Sequence, residues 1–88
     1  MNITYNELGD GFVQFYGSYK GMAVNGLVSF RKKDEGLNRF DVDMTVLYKT
    51  RKYEVSSNPL DMTIININKA KDWVEKHLRE IAKEEGLE

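Results

Sequence analysis

Eighty-eight residues suffice for one domain with one core. Thirteen basic side chains against fourteen acidic ones leave a formal net charge of −1, so no global field draws the chain toward nucleic acid or an anionic membrane. Cysteine is absent, which excludes disulfide staples, thiolate zinc sites and cysteine nucleophiles.

No apolar run approaches the roughly 20 residues that span a bilayer, so no membrane role is expected. Met1-Asn2-Ile3-Thr4 has neither the basic stretch nor the apolar core of a signal peptide, and the expected location is the cytoplasm. The closing Leu87-Glu88 resembles the pair that a cloning site leaves ahead of a tag. The domain is therefore expected over residues 1–86, with 87–88 a vector-derived tail.

Turn-forming clusters punctuate the chain at Gly9-Asp10-Gly11, Tyr19-Lys20-Gly21, Lys33-Asp34-Glu35-Gly36 and Ser56-Ser57-Asn58-Pro59. At the start, Thr4-x-x-Glu7 fits a helical capping box, while residues 2–5 equally fit a short edge strand. Residues 12–18 are rich in strand formers. Residues 23–31 form the next strand, with Val24, Val28 and Phe30 on one face. Gly26 shares that face and either marks a bulge or leaves room for a bulky neighbour such as Trp73.

The clearest strand lies within residues 37–50. Phe40, Val42, Met44, Val46 and Tyr48 alternate with Arg39, Asp41, Asp43, Thr45 and Lys49. Alternation of this kind means one dry face and one wet face, the mark of an antiparallel sheet packed on a single side. Tyr53 and Val55 continue the pattern after a tight reversal, and Pro59 ends it. Residues 60–67 switch parity and are either a fifth strand or a lead-in to the helix.

The helix itself is unambiguous. Ala70, Trp73, Val74, His77, Leu78, Ile81 and Ala82 recur at helical spacing, with charged residues opposite them. Asn68 is the expected N-cap and Gly86 the expected stop. The fold class is thus α+β: a single antiparallel sheet of four to five meandering strands, with one C-terminal amphipathic helix packed on one face.

Signs of catalysis are few. His77, the only histidine, sits on the apolar stripe of the helix and reads as a core-edge residue. Asp41 and Asp43 share the wet face of their strand, about 7 Å apart by strand geometry, and read as solvated carboxylates rather than as cation ligands. No glycine-rich phosphate cradle and no serine nucleophile signature occurs. The expectation is a non-enzymatic protein with no cofactor, no metal and no small-molecule substrate.

Two binding surfaces remain. One of the adjacent pair Phe15 and Tyr16 must point away from the helix, as must Leu27 and Leu47. Together these form a candidate patch for a protein partner, with a homodimer through this face or an edge strand as the leading expectation. The alternative is nucleic-acid binding. A meander gathers Tyr19, Lys20, Lys49, Arg51, Lys52 and Tyr53 at one end of the sheet, where cations beside aromatics suit phosphate contact and base stacking. Arg31-Lys32-Lys33 lies at the opposite end, so the positive charge is divided.

Overall fold

The computed structural model describes residues 1–32 and 38–88. The expected turn at residues 33–36, and with it part of the second basic cluster, lies outside the described residues. Among the described residues five strands are formed: β1 (Asn2–Gly9), β2 (Phe12–Tyr19), β3 (Met22–Lys32), β4 (Asn38–Tyr48) and β5 (Arg51–Ser56). They pair in sequence order, every pair antiparallel. The helix α1 (Ile67–Glu84) follows and packs on one face of the sheet.

The hairpins are tight. Tyr19 faces Met22 across Lys20-Gly21, and Tyr48 faces Arg51 across Lys49-Thr50. Asp10-Gly11 and Lys20-Gly21 both have positive φ at their two residues, the geometry that matches the twist of two-residue hairpins. The fifth strand comes from the N-terminus and not from residues 60–67. Thr4 and Glu7 lie in β1, where exposure alternates from Asn2 to Asn6 with Ile3 and Tyr5 turned to the core, so no capping box forms.

Residues 57–66 are not a strand because their side chains take over the backbone hydrogen bonds. Asn58 Oδ1 accepts from the Leu60 N–H, and Asp61 Oδ1 accepts from both the N–H and the hydroxyl of Thr63. The segment still docks on β4: the Ser57 N–H donates to the Val42 carbonyl, and the Phe40 N–H to the Ile64 carbonyl. Ile64 is thereby driven into the core, while Leu60 is left in solvent. The helix begins two residues earlier than its sequence suggests. Asn66, in extended conformation, accepts from the Lys69 N–H at 2.9 Å and is the N-cap in place of Asn68. At the far end the Gly86 and Leu87 N–H groups donate to the Lys83 and Ala82 carbonyls, closing the helix as expected.

The core lies between sheet and helix. Val24, Val28, Val42, Met44 and Val46 rise from the sheet against Ala70, Trp73, Val74, Leu78 and Ile81. Each of the valine, leucine, isoleucine and methionine side chains among them contributes on the order of 1.5–3 kcal/mol when fully buried. The space at Gly26 is filled by Phe15, not by Trp73. A Cβ on Gly26 would lie 2.1 Å from the Phe15 ring and 2.5 Å from the Asp43 carbonyl oxygen. Phe15 is fully buried there, and its neighbour Tyr16 faces outward.

A second close approach holds β1. Gly17, at φ +153°, faces Ile3, and a Cβ there would fall 1.8 Å from the Asn2 carbonyl oxygen.

The expected effect of Gly26→Ala follows from this seat. With a ring on one side and backbone on the other, the methyl has no escape, and the loss should be about 3 kcal/mol or more. Urea unfolding should show a lower midpoint with an unchanged slope.

Candidate functional site: exposed faces and open edges

Of the residues expected on the helix-free face, Tyr16 is exposed there, while Phe15 is not and the two leucines stand apart. Phe15 leaves it, because the residue is core. Leu27 lies opposite Asp43, and Leu47 lies opposite Ala23. The two leucines are therefore four residues apart along the strands, roughly 13 Å. The row Thr4, Tyr16, Asn25, Thr45 and Glu54 crosses the sheet between them. What remains is a mixed face on which Leu8, Tyr16 and Leu47 are exposed among polar side chains. Its open depression, about 540 Å³, is lined by Leu8, Gln14, Leu27, Asp43, Thr45 and Glu54 among others.

The basic and aromatic residues do gather at one end of the sheet, yet acidic side chains from the C-terminal end of the chain meet them there. Glu85 accepts from the Tyr53 hydroxyl and pairs with Arg51 at 3.3 Å. Glu88 accepts from the Tyr19 hydroxyl at 2.6 Å and lies 3.6 Å from Lys20 Nζ. These bonds hold the Tyr19 and Tyr53 phenols above their ordinary range, and the Glu88 carboxyl below its own. Lys52 pairs with Glu54, and Lys49 lies over the Tyr48 ring. Of the six residues at this end, four are engaged by Glu85 and Glu88. Leu87 packs against the core, and Glu88 reaches Tyr19.

The residues weighed for catalysis each have a partner of their own. His77 stacks on Trp73 with ring centroids 4.0 Å apart. Its Nδ1 lies 2.8 Å from the Trp73 carbonyl, an acceptor, so Nδ1 carries the proton. Asp41 pairs with Arg31 at 3.5 Å, and Asp43 accepts from the Ser56 hydroxyl at 2.6 Å. Among the described residues no group of three potential ligands could hold a metal ion. Nor, among them, is any helix long and apolar enough to cross a membrane.

Sequence reasoning missed an apolar groove beside the start of the helix. It measures about 500 Å³ and is lined in part by Phe12, Val13, Phe30, Phe40, Ile65 and Ile67. Phe30 and Phe40 face each other across β3 and β4, ring centroids 5.3 Å apart, with Phe40 half-buried and Phe30 exposed. The parity of Phe30 and Phe40 was visible in the sequence; the point at which the helix begins was not.

The two edges of the sheet differ in character. β5 carries Arg51, Lys52 and Glu54 within six residues, and charged side chains discourage further pairing. β1 has eight residues, no lysine, arginine or proline, and a single charge at Glu7. Among the described residues no strand lies beyond it in the sheet order. Its register is regular from Asn2 to Glu7 and breaks at a bulge before Gly9. Ile3 and Tyr5 pack against the core on the helix side; Tyr5 lies 5.5 Å from Phe15, with Lys71 Nζ 4.9 Å from its ring. Asn2, Thr4 and Asn6 are exposed on the other side.

No family model, curated protein or solved structure matches this chain.

Tyr5 reports on the seating of β1. Burial first, and then the nearby Glu75 charge, push its phenol up to about 12. An unfolded tyrosine ionises near pH 10. The stabilisation is therefore whole below pH ~10 and is lost as pH climbs from there through about 12, since the unfolded chain releases its proton first. Tyr5→Phe should flatten the alkaline fall of the urea midpoint. A residual slope from Tyr19 and Tyr53, whose phenols are also raised, should persist.

Proposed function

We propose that this protein is a non-catalytic protein-binding module that receives an extended strand along the open edge of β1. The observation that carries this reading is the contrast between the two edges: one charged, the other long, regular and almost uncharged. An unpaired strand edge offers a row of backbone donors and acceptors, and native sheets ordinarily blunt it with charge, proline or a covering element. On β1 only Glu7 and the bulge that follows it do so. Strand addition supplies affinity through main-chain hydrogen bonds and specificity through alternate side chains.

The helix-free face supports a partner less well, because its two leucines stand four residues apart along the strands. Nucleic-acid binding at the Lys20 end also has less support, since Glu85 and Glu88 engage most of the cations and aromatics assembled there.

Amide spectra of the ¹⁵N-labelled protein should test the edge. A soluble peptide of alternating threonine and isoleucine, matched in length to β1, is the probe. Shifts confined to β1 and its partners on β2 are expected. Shifts centred on β5 or on the Phe30 groove, or none at millimolar peptide, would overturn the proposal.

A further inference from the structure

Granted strand addition at β1, on which this proposal rests, we infer that the strand received is β1 of a second copy, related by a two-fold axis through Thr4. Such an axis stands perpendicular to the sheet and makes the two strands antiparallel. It pairs residues whose numbers sum to a constant. That constant must be even if side chains of one face are to stay together.

Centring on Thr4 pairs Ile3 with Tyr5 of the second copy, Asn2 with Asn6, and Thr4 with itself. On the helix side this places a β-branched residue against an aromatic one, twice over, among the favourable cross-strand pairs. Ile3 and Tyr5 already pack at the margin of the core, so the join extends that core as an apolar floor between the two helices. On the other side Asn–Asn and Thr–Thr pairs meet with no charge opposed. Glu7, the only charge of β1, lies outside these pairs.

Neighbouring registers are poorer. Centring on Tyr5 sets Ile3 against Glu7 and carries Asn2 to Leu8, at the bulge. Centring on Ile3 shortens the overlap and takes Tyr5 away from Ile3. Thr4 is also the midpoint of the stretch over which exposure alternates. A single strand pair stands at the small end of interface sizes, so association should depend on concentration.

The absence of cysteine makes the test direct, because each single-cysteine variant carries one thiol. Antiparallel partners have Cα atoms about 4.5–5.5 Å apart, within the disulfide range of about 4.4–6.8 Å. In the proposed register Thr4→Cys brings its two thiols face to face. Asn2→Cys or Asn6→Cys alone leaves like residues roughly 13 Å apart along the strand. All three positions are exposed, so the thiol does not disturb the core.

Under mild oxidation of concentrated protein, Thr4→Cys should shift to twice the monomer mass. Asn2→Cys and Asn6→Cys should each remain monomeric, and an equimolar mixture of these two should give the mixed covalent dimer. Cross-linking of Asn2→Cys or Asn6→Cys by itself, as readily as Thr4→Cys, would overturn the register. Failure of both Thr4→Cys and the mixture to cross-link would overturn self-pairing. If the strand peptide still shifts β1 in that case, the edge is a docking site for another protein; if the peptide fails as well, both proposals fall.

Discussion

Much of this molecule depends on one close contact, the Phe15 ring seated over the bare backbone of Gly26. The contact fixes which face of β2 is dry. With Phe15 inward, Tyr19 is inward too, while Tyr16 and Gln14 face solvent. Antiparallel pairing then passes that choice outward to β1, where Tyr5 faces Phe15 and Ile3 faces Gly17. A slip of one residue would turn every one of these side chains over. The ring also thickens the core at a point where β3 contributes no side chain, so β2 belongs to the packed layer rather than to its margin.

The strand pattern and the helix stripe were legible because burial on a single face leaves a period of two or of 3.6 in the sequence. Val42, Met44 and Val46 on β4, and Trp73, Leu78 and Ile81 on α1, meet as their spacing requires. Gly26 was legible as a gap, but its occupant was not, since Phe15 and Trp73 are both large enough and only the register of β2 against β3 decides between them. Residues 57–66 were misleading for a different reason. Leu60, Met62 and Ile64 alternate like a strand, but Asn58 and Asp61 bend the backbone locally, and only Ile64 reaches the core.

The candidate surfaces show the same division. That Tyr19, Lys20, Arg51 and Tyr53 would share an end follows from meander topology. That Glu85 and Glu88 would arrive at that end follows from the direction in which the helix crosses the sheet, which periodicity does not encode. Leu27 and Leu47 share a face as parity requires, but their separation depends on strand register, which is likewise not written in either strand alone. The edge character of β1 was within reach, because residues 2–5 fit a short edge strand and their lack of charge is plain in the sequence; what the sequence left open was the choice between that strand and a capping box at Thr4.

The connections also bear on the order in which the molecule comes together. Four strand pairings join neighbours in the chain, and three of their turns need only two residues. Contacts so local are quick to find. The helix is different: its end ties back to Tyr53 across 32 positions, and the Tyr19–Glu88 bond spans 69. Closing those long loops costs entropy that only burial of the shared core repays. The meander can therefore be sketched early and remain soft, with one side wet, until the last eighteen-residue element swings down and locks it.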